Sequence, residues 1–559
     1  MLATALLFLQ PATHAGAAEP QELLFARLPA HAQQPQFLRI DSHGAKRAAD
    51  SQTPLGSVWK LFVYTYAIDR GIALPEYVCQ GRPDLAREEM YCCDPGRSTA
   101  HDNALAQSCG LFFEPARLHL DAGDWQRYWH DKAPQASWLA DLDNLKPALK
   151  VGVASLLQAL ASIHGAAREQ AEAALLGVVL NGRGQSALRY LGGRYRVKTF
   201  TWSHPQRTDL VFGGAAGWMS DGSAVWFGAL GSSMQVLKEH APQLAAAAQG
   251  MAAPANSGRC VDVALFARYP LRSVNALEGA AQLVPGKAQN LRGRYRIQFD
   301  NGNRLLLQAD NEIRLEWDDK GKPLLSARLD ENEYIARVID REANAAVTEA
   351  ARALSVVART YLLQNATQHG ECLAIADSSR TQRVSPNPAS AAARDVAAFT
   401  AGLVLQGANA QYRLHVGSKN TLSWQGTVKN AKAGMLFDEM LQQAFEHATL
   451  ASLSGEVECK PLPDAQHWLR ARARQWRSAL QEEPGYVEPQ PQVCALTFGN
   501  PYSDMSRQRI YVRGLASLNN RLTLAHEYLH LAFAAYPSGQ DENYIEQWAR
   551  RLIEGDARS

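Results

Sequence analysis

Two groups of residues in this chain have the types and the spacing for chemistry. Near the C-terminus, His526-Glu527-Tyr528-Leu529-His530 places two imidazoles one helical turn apart, so both point the same way and can bind one zinc ion. Glu527 lies beside them, where a carboxylate can serve as general base on an attacking water. The surrounding run LTLAHEYLHLAF is otherwise apolar, and unliganded imidazoles and a carboxylate are costly to bury there. Near the other end, Ser57-Val58-Trp59-Lys60 puts a hydroxyl and an amine one turn apart at the start of an apolar segment. An amine so placed can help deprotonate a serine nucleophile.

These groups need elements to carry them. The run VWKLFVYTYAI, Val58 to Ile68, reads as a buried helix carrying Lys60. Tyr195 to Trp202 and Ser223 to Leu230 read as strands of one sheet. Tyr295 to Phe299, Arg304 to Gln308 and Ile313 to Trp317 read as short hairpin strands joined by turns such as Asp300-Asn301-Gly302. Thr348 to Leu363 is strongly helical, and Ala465 to Glu483 is a long amphipathic helix. Arg507 to Val512 reads as a strand that precedes the helix Arg521 to Ala535, on which His526 and His530 sit. A further helix begins near Asp541, after a turn with Pro537 and Gly539. The fold class is α+β multidomain.

With 559 residues the chain is too long for one core. Punctuation by Ala-rich and Pro-rich stretches divides it into a signal peptide over 1–18 and domains over 19–250, 255–453 and 456–559. The apolar run Met1 to Leu9, the break at Pro11 and the small residues Ala15 to Ala18 are the marks of an export signal, although no Lys or Arg precedes the run. No apolar run is long enough for a membrane span, and a net charge of +2 gives no electrostatic reason to expect nucleic acid. The eight cysteines fit no zinc-ribbon spacing and suggest disulfides in an oxidising compartment. Cys79, Cys92, Cys93 and Cys109 should staple one loop region, with the adjacent pair Cys92 and Cys93 each taking a more distant partner, and Cys459 should pair with Cys494.

Resemblances extend these readings. Glu333 to Leu363, EYIARVIDREANAAVTEAARALSVVARTYLL, resembles the stage II sporulation protein D (SpoIID) family through Glu333-Tyr334, Glu342, Glu349-Ala350 and Ala358-Arg359-Thr360-Tyr361. Asp377-Ser378-Ser379 with Gln382, and Thr400-Ala401-Gly402-Leu403-Val404-Leu405, look like later segments of that family. The resemblance implies a SpoIID-like mixed domain, lytic transglycosylase action on peptidoglycan glycan strands, and Glu342 as the acid that protonates the glycosidic oxygen. Ala343-Asn344 stands where that family has Met-Pro, and its Cys/His metal site has no counterpart here.

In the first domain, Gly56 before Ser57, Ser108-Cys109-Gly110, Lys198-Thr199-Phe200 and Trp226-Phe227-Gly228 fall in the order found in β-lactamases and penicillin-binding transpeptidases. The resemblance implies Ser57 as acyl nucleophile with Lys60 and Lys198 in its site. Phe200 stands where those enzymes have Gly, and it should obstruct the strand edge.

The C-terminal segment resembles the gluzincin pattern of a small zincin-like domain. That implies Zn2+ held by His526, His530 and Glu542, with Glu546 as the supporting acid or as the third ligand. The whole set resembles the YfaQ-like secreted family of Gram-negative bacteria, which implies an α2-macroglobulin-like envelope protein as a partner. The function expected is a periplasmic peptidoglycan-modifying enzyme, cleaving glycan as a lytic transglycosylase and carrying an additional zinc metallopeptidase centre. The alternative is a zinc protease or maturation factor for an envelope protein, such as the α2-macroglobulin-like one, whose other domains bind glycan strands or stem peptides without cleaving them.

Overall fold

The computed structural model describes residues 22–41, 43–93, 95–96, 98–180, 185–207, 209–248, 259–415, 421–445, 448–452, 461–495, 501–504, 508–512, 514–534, 536 and 541–556. The signal segment, Cys459 and the turn with Pro537 and Gly539 lie outside these residues. Among the described residues the chain forms three bodies.

In the first, an antiparallel sheet runs in the order Gly44–Arg47, Gln36–Asp41, Leu23–Leu28, Ala224–Leu230, Val211–Met219, Tyr195–Ser203. One face is covered by a helical layer that includes Trp59–Asp69, Val153–Ala161 and Gly165–Leu180. The other is covered by Ser233–Glu239 and Ala241–Ala247. The helix Trp59–Asp69 is apolar on all sides and buried on all sides, which fits its place in the middle of a layer.

The second body is a sheet in the order Leu271–Ala276, Gln289–Phe299, Arg304–Trp317, Pro323–Asp330, Cys260–Leu265, Cys372–Ala376, Thr367–His369. The helices Glu331–Glu342 and Thr348–Asn365 join the inward-facing Tyr295, Ile297, Leu307 and Leu325 in its core. The two short strands expected over 304–317 are one strand, bent where Asn311 takes φ 70 and the pairing with Gln289–Phe299 shifts register. A bulge of this kind lets the strand keep Gln289–Phe299 as its partner on both sides of the bend while its second half also pairs with Pro323–Asp330. Cys372 is bonded to Cys260 on the neighbouring parallel strand.

In the third body Gln492–Ala495, Arg509–Val512 and Tyr502–Asp504 form a small sheet with Arg509–Val512 in the middle. The helices Pro463–Leu480, Leu518–Ala532 and Glu542–Asp556 pack with it around Trp476, Tyr528, Leu529 and Ile545.

The first two bodies are not separate cores. Helix Gly165–Leu180 gives Leu175 and Val178 to the first core and Leu176 and Val179 to the second. Alongside it, Gly193 N–H donates to Phe399 O at 2.6 Å, Arg194 is ion-paired with Asp395, and Arg196 donates to Ala401 O. Backbones meet so closely that a Cβ on Gly193 would overlap the carbonyl oxygen of Ala401. Gly193→Ala should therefore lower stability by at least about 2 kcal/mol, read as a fall in urea midpoint in a single transition spanning both bodies.

Candidate functional site

The His-Glu-His segment lies on the helix Leu518–Ala532, whose start is capped by Ser517 accepting from Asn520 N–H at 3.1 Å. Leu524, Tyr528 and Leu531 point into the core and hold the helix in rotation. His526 and His530 then face the helix Glu542–Asp556. Their Nε2 atoms are 3.1 Å apart. Two ligands about 2.05 Å from a tetrahedral zinc stand about 3.3 Å apart, so the pair has the separation that one ion requires. On the far side of the His526 ring, Nδ1 meets Glu546 Oε2 at 3.2 Å, and Glu546 Oε1 is ion-paired with Arg550 at 2.6 Å. A carboxylate on Nδ1 fixes the ring so that Nε2 presents its lone pair to the site. Glu527 and His530 are 5% and 6% exposed, a depth at which ionisable groups need partners.

Among the described residues no group of three or more His, Cys, Asp or Glu side chains is gathered closely enough to hold a metal ion. The candidate third ligand explains this in part. The side chain of Glu542 lies outside the described residues, and Glu546 is turned to Nδ1, the position of a supporting acid. Of the two assignments left open by the sequence, this geometry favours Glu546 as the outer carboxylate.

At the opposite end, Ser57 sits in a short helical turn, Gly56–Val58, that runs into the helix Trp59–Asp69. Lys60 Nζ lies 3.3 Å from Ser57 Oγ, and it also reaches Ser108 O at 2.6 Å and Ser108 Oγ at 3.2 Å. Ser108 ends the helix His101–Gln107 in the left-handed conformation, φ 70, and the next residue, Cys109, is bonded to Cys92. Cys93 is in turn bonded to Cys79, so the adjacent cysteines do take separate, more distant partners. This double staple fixes the turn that holds Lys60. Cys494 is also disulfide-bonded.

Lys198 is buried on Tyr195–Ser203 and donates to Thr199 O at 3.0 Å. The expected obstruction by Phe200 is corrected. Its side chain is turned into the core, where the Cβ that Gly56 lacks would come within 2.6 Å of it. Phe200 therefore locks the serine turn to the strand rather than standing over the edge, and Gly56 at φ 51 is required by that contact.

Glu342 is the last residue of the helix Glu331–Glu342. Its Oε1 accepts from Arg383 N–H at 2.8 Å and Nε at 3.2 Å, and Oε2 from Nη2 at 3.3 Å. Both of its oxygens are thus occupied as acceptors by Arg383. Neighbouring Asp377 is held above the usual carboxylate range, chiefly by burial, with the charge of Glu342 adding to the effect. Arg383, 41 residues away in sequence, had no signal to reveal it.

Elsewhere the segments that carry the SpoIID resemblance converge on structural bonds. Tyr334 donates to Gln382 Oε1 at 2.6 Å, Gln382 donates to Ala358 O at 3.1 Å, and Arg359 donates to Glu331 at 2.7 Å and to Thr400 O at 2.7 Å.

The architecture is that of a mixed α+β, disulfide-bonded multidomain protein. The family described as "Predicted secreted protein (DUF2300)" matches residues 84–207 and 420–538. "Uncharacterized protein YfaQ" of Escherichia coli (strain K12) is 42% identical over 530 residues, covering 93% of this chain and 94% of that protein. The chain belongs to this family of secreted proteins. Accordingly it is extracytoplasmic, and no helix among the described residues is long and apolar enough to cross a membrane. Among solved structures, the C-terminal domain of the Bacillus licheniformis BlaR penicillin-receptor is 12% identical with a TM-score of 0.28, over 41% of this chain and 90% of that one. An ancestral (GNCA) class A β-lactamase is 18% identical with a TM-score of 0.27, over 41% of this chain and 95% of that one.

Protein purified with zinc should contain about one equivalent, and His526→Ala and His530→Ala should each lose it. Glu546→Gln should keep the metal with about 10- to 100-fold weaker affinity, read by mass spectrometry of metal content and competition with a chelator.

Proposed function

We propose that this secreted protein is a zinc metallopeptidase of the bacterial envelope, acting on cell-wall peptides, with its first two bodies serving to recognise the wall. The observation that carries the reading is the 3.1 Å separation of the His526 and His530 Nε2 atoms, with Glu546 on Nδ1 of His526. His526 and His530 would hold the ion, together with the carboxylate of Glu542. Zinc there supplies Lewis-acid polarisation of a scissile carbonyl. Glu527, one residue from His526, takes the proton from the attacking water on its carboxylate and returns it to the leaving amine. Glu546 and Arg550 act through the His526 ring and keep its tautomer fixed.

A second reading keeps glycan cleavage at Glu342. It is favoured by the placing of Glu342 at a helix end beside a second carboxyl, Asp377, which burial holds above its ordinary value.

Digestion of purified peptidoglycan tests both readings. Peptide bonds should be cut by the zinc-loaded protein and spared after chelation, and Glu527→Gln should lower the rate by at least about 100-fold while retaining zinc. Intact peptide bonds in every zinc-loaded sample would remove the first reading. Release of 1,6-anhydro sugars that survives chelation and is lost in Glu342→Gln would establish the second.

A further inference from the structure

The second body turns one face of its large sheet outward, and that face is basic in an unusual way. On Gln289–Phe299 the odd-numbered Leu291, Tyr295 and Ile297 are buried, which leaves Arg292, Arg294 and Arg296 exposed together on the other side. The register places Gln298 opposite Arg304 on the next strand, and Asn275 opposite Arg296 on the edge strand. Along a strand such neighbours stand about 6.8 Å apart, and across strands about 5 Å, so their charges fall within one Debye length.

The acids on the strands Leu271–Ala276, Gln289–Phe299 and Arg304–Trp317 are already engaged. Asp310 lies 3.9 Å from Arg292, Glu312 is 3.0 Å from Arg337, and Glu316 is 2.7 Å from Arg314. Among the described residues Arg294, Arg296 and Arg304 have no ion-pair partner. Like charges left side by side repel and lower stability, so an acidic partner from outside is the natural complement.

We infer that this face docks the chain onto the carboxylate-bearing peptidoglycan polymer. The choice of side chain points to carboxylates: the three strands contain six arginines and no lysine. A guanidinium fork takes a carboxylate by two parallel hydrogen bonds, whereas an ammonium is a point charge. Asn275 and Gln298, set among the arginines, offer neutral donors and acceptors suited to sugar hydroxyls and amides. A lipid surface is disfavoured, because stable adhesion there needs inserted apolar side chains. On these strands Leu306 is the only large apolar side chain among the described residues that stands out, at 53% exposure. The identity of the occupant rests on the wall reading above. The docking itself does not depend on catalysis.

Co-sedimentation of the full chain with purified sacculi tests the proposal. Wild type and the inactive Glu527→Gln should both sediment, and both should be released as salt rises from about 0.1 M to about 1 M, where the Debye length falls from about 10 Å to about 3 Å. The triple variant R294E/R296E/R304E should be retained about tenfold less or worse, while keeping its melting temperature and its cleavage of a soluble stem peptide. Triple-lysine replacement should weaken binding to an intermediate degree. Equal sedimentation of wild type and the glutamate variant would overturn the proposal. So would binding of wild type to phosphatidylglycerol vesicles but not to sacculi. In either case unchanged cleavage of the soluble peptide would leave the peptidase reading standing.

Discussion

A guanidinium with no access to water organises the middle of this molecule. Arg359 is fully buried, and its donors go to Glu331, to Asn332 and to the carbonyl of Thr400. A buried ion pair of this kind contributes little net stability, because desolvation offsets the attraction, but removing one partner leaves an uncompensated charge. It therefore fixes geometry. The start of the helix that ends in Glu342 and the Thr400–Gly402 turn must both come to Arg359. That same turn receives Arg196, on the strand that carries Lys198, and Gly193, just before that strand, donates to Phe399 O beside the turn. Through this chain of contacts the spacing between the Glu342 region and the serine turn is set by packed backbone rather than by a linker.

Much of this was legible in sequence where one local rule decides. Apolar periodicity placed the helices that carry Lys60 and His526, since an amphipathic or wholly apolar run has few alternatives. The adjacent cysteines had to seek separate partners, and did. What stayed hidden depends on distance along the chain or on one unusual dihedral. Asn311 joins two expected strands into one bulged strand, Cys260 and Cys372 meet across 112 residues, and Arg383 reaches Glu342 from another loop. Phe200 was misjudged for a different reason. A large residue in place of Gly reads as a block until the direction of its side chain is known, and here it faces the core.

The three candidate centres differ in how ready they are for chemistry. At Ser57 the lysine is in place, but its shortest bond runs to the Ser108 carbonyl rather than to the nucleophile. At Glu342 the carboxylate is clamped by Arg383. At His526 and His530 the two imidazoles already face one point, and the outer carboxylate that would steady one of them is already bonded. The preference for a metallopeptidase reading follows from that comparison.

The most direct test is X-ray absorption at the zinc edge on the zinc-loaded chain. The spectrum should show two imidazole nitrogens at about 2.0–2.1 Å with oxygen completing a tetrahedral shell, and the imidazole signature should be lost in the His526→Ala, His530→Ala double variant. A zinc shell without imidazole, or an identical shell in the double variant, would contradict a two-histidine zinc site.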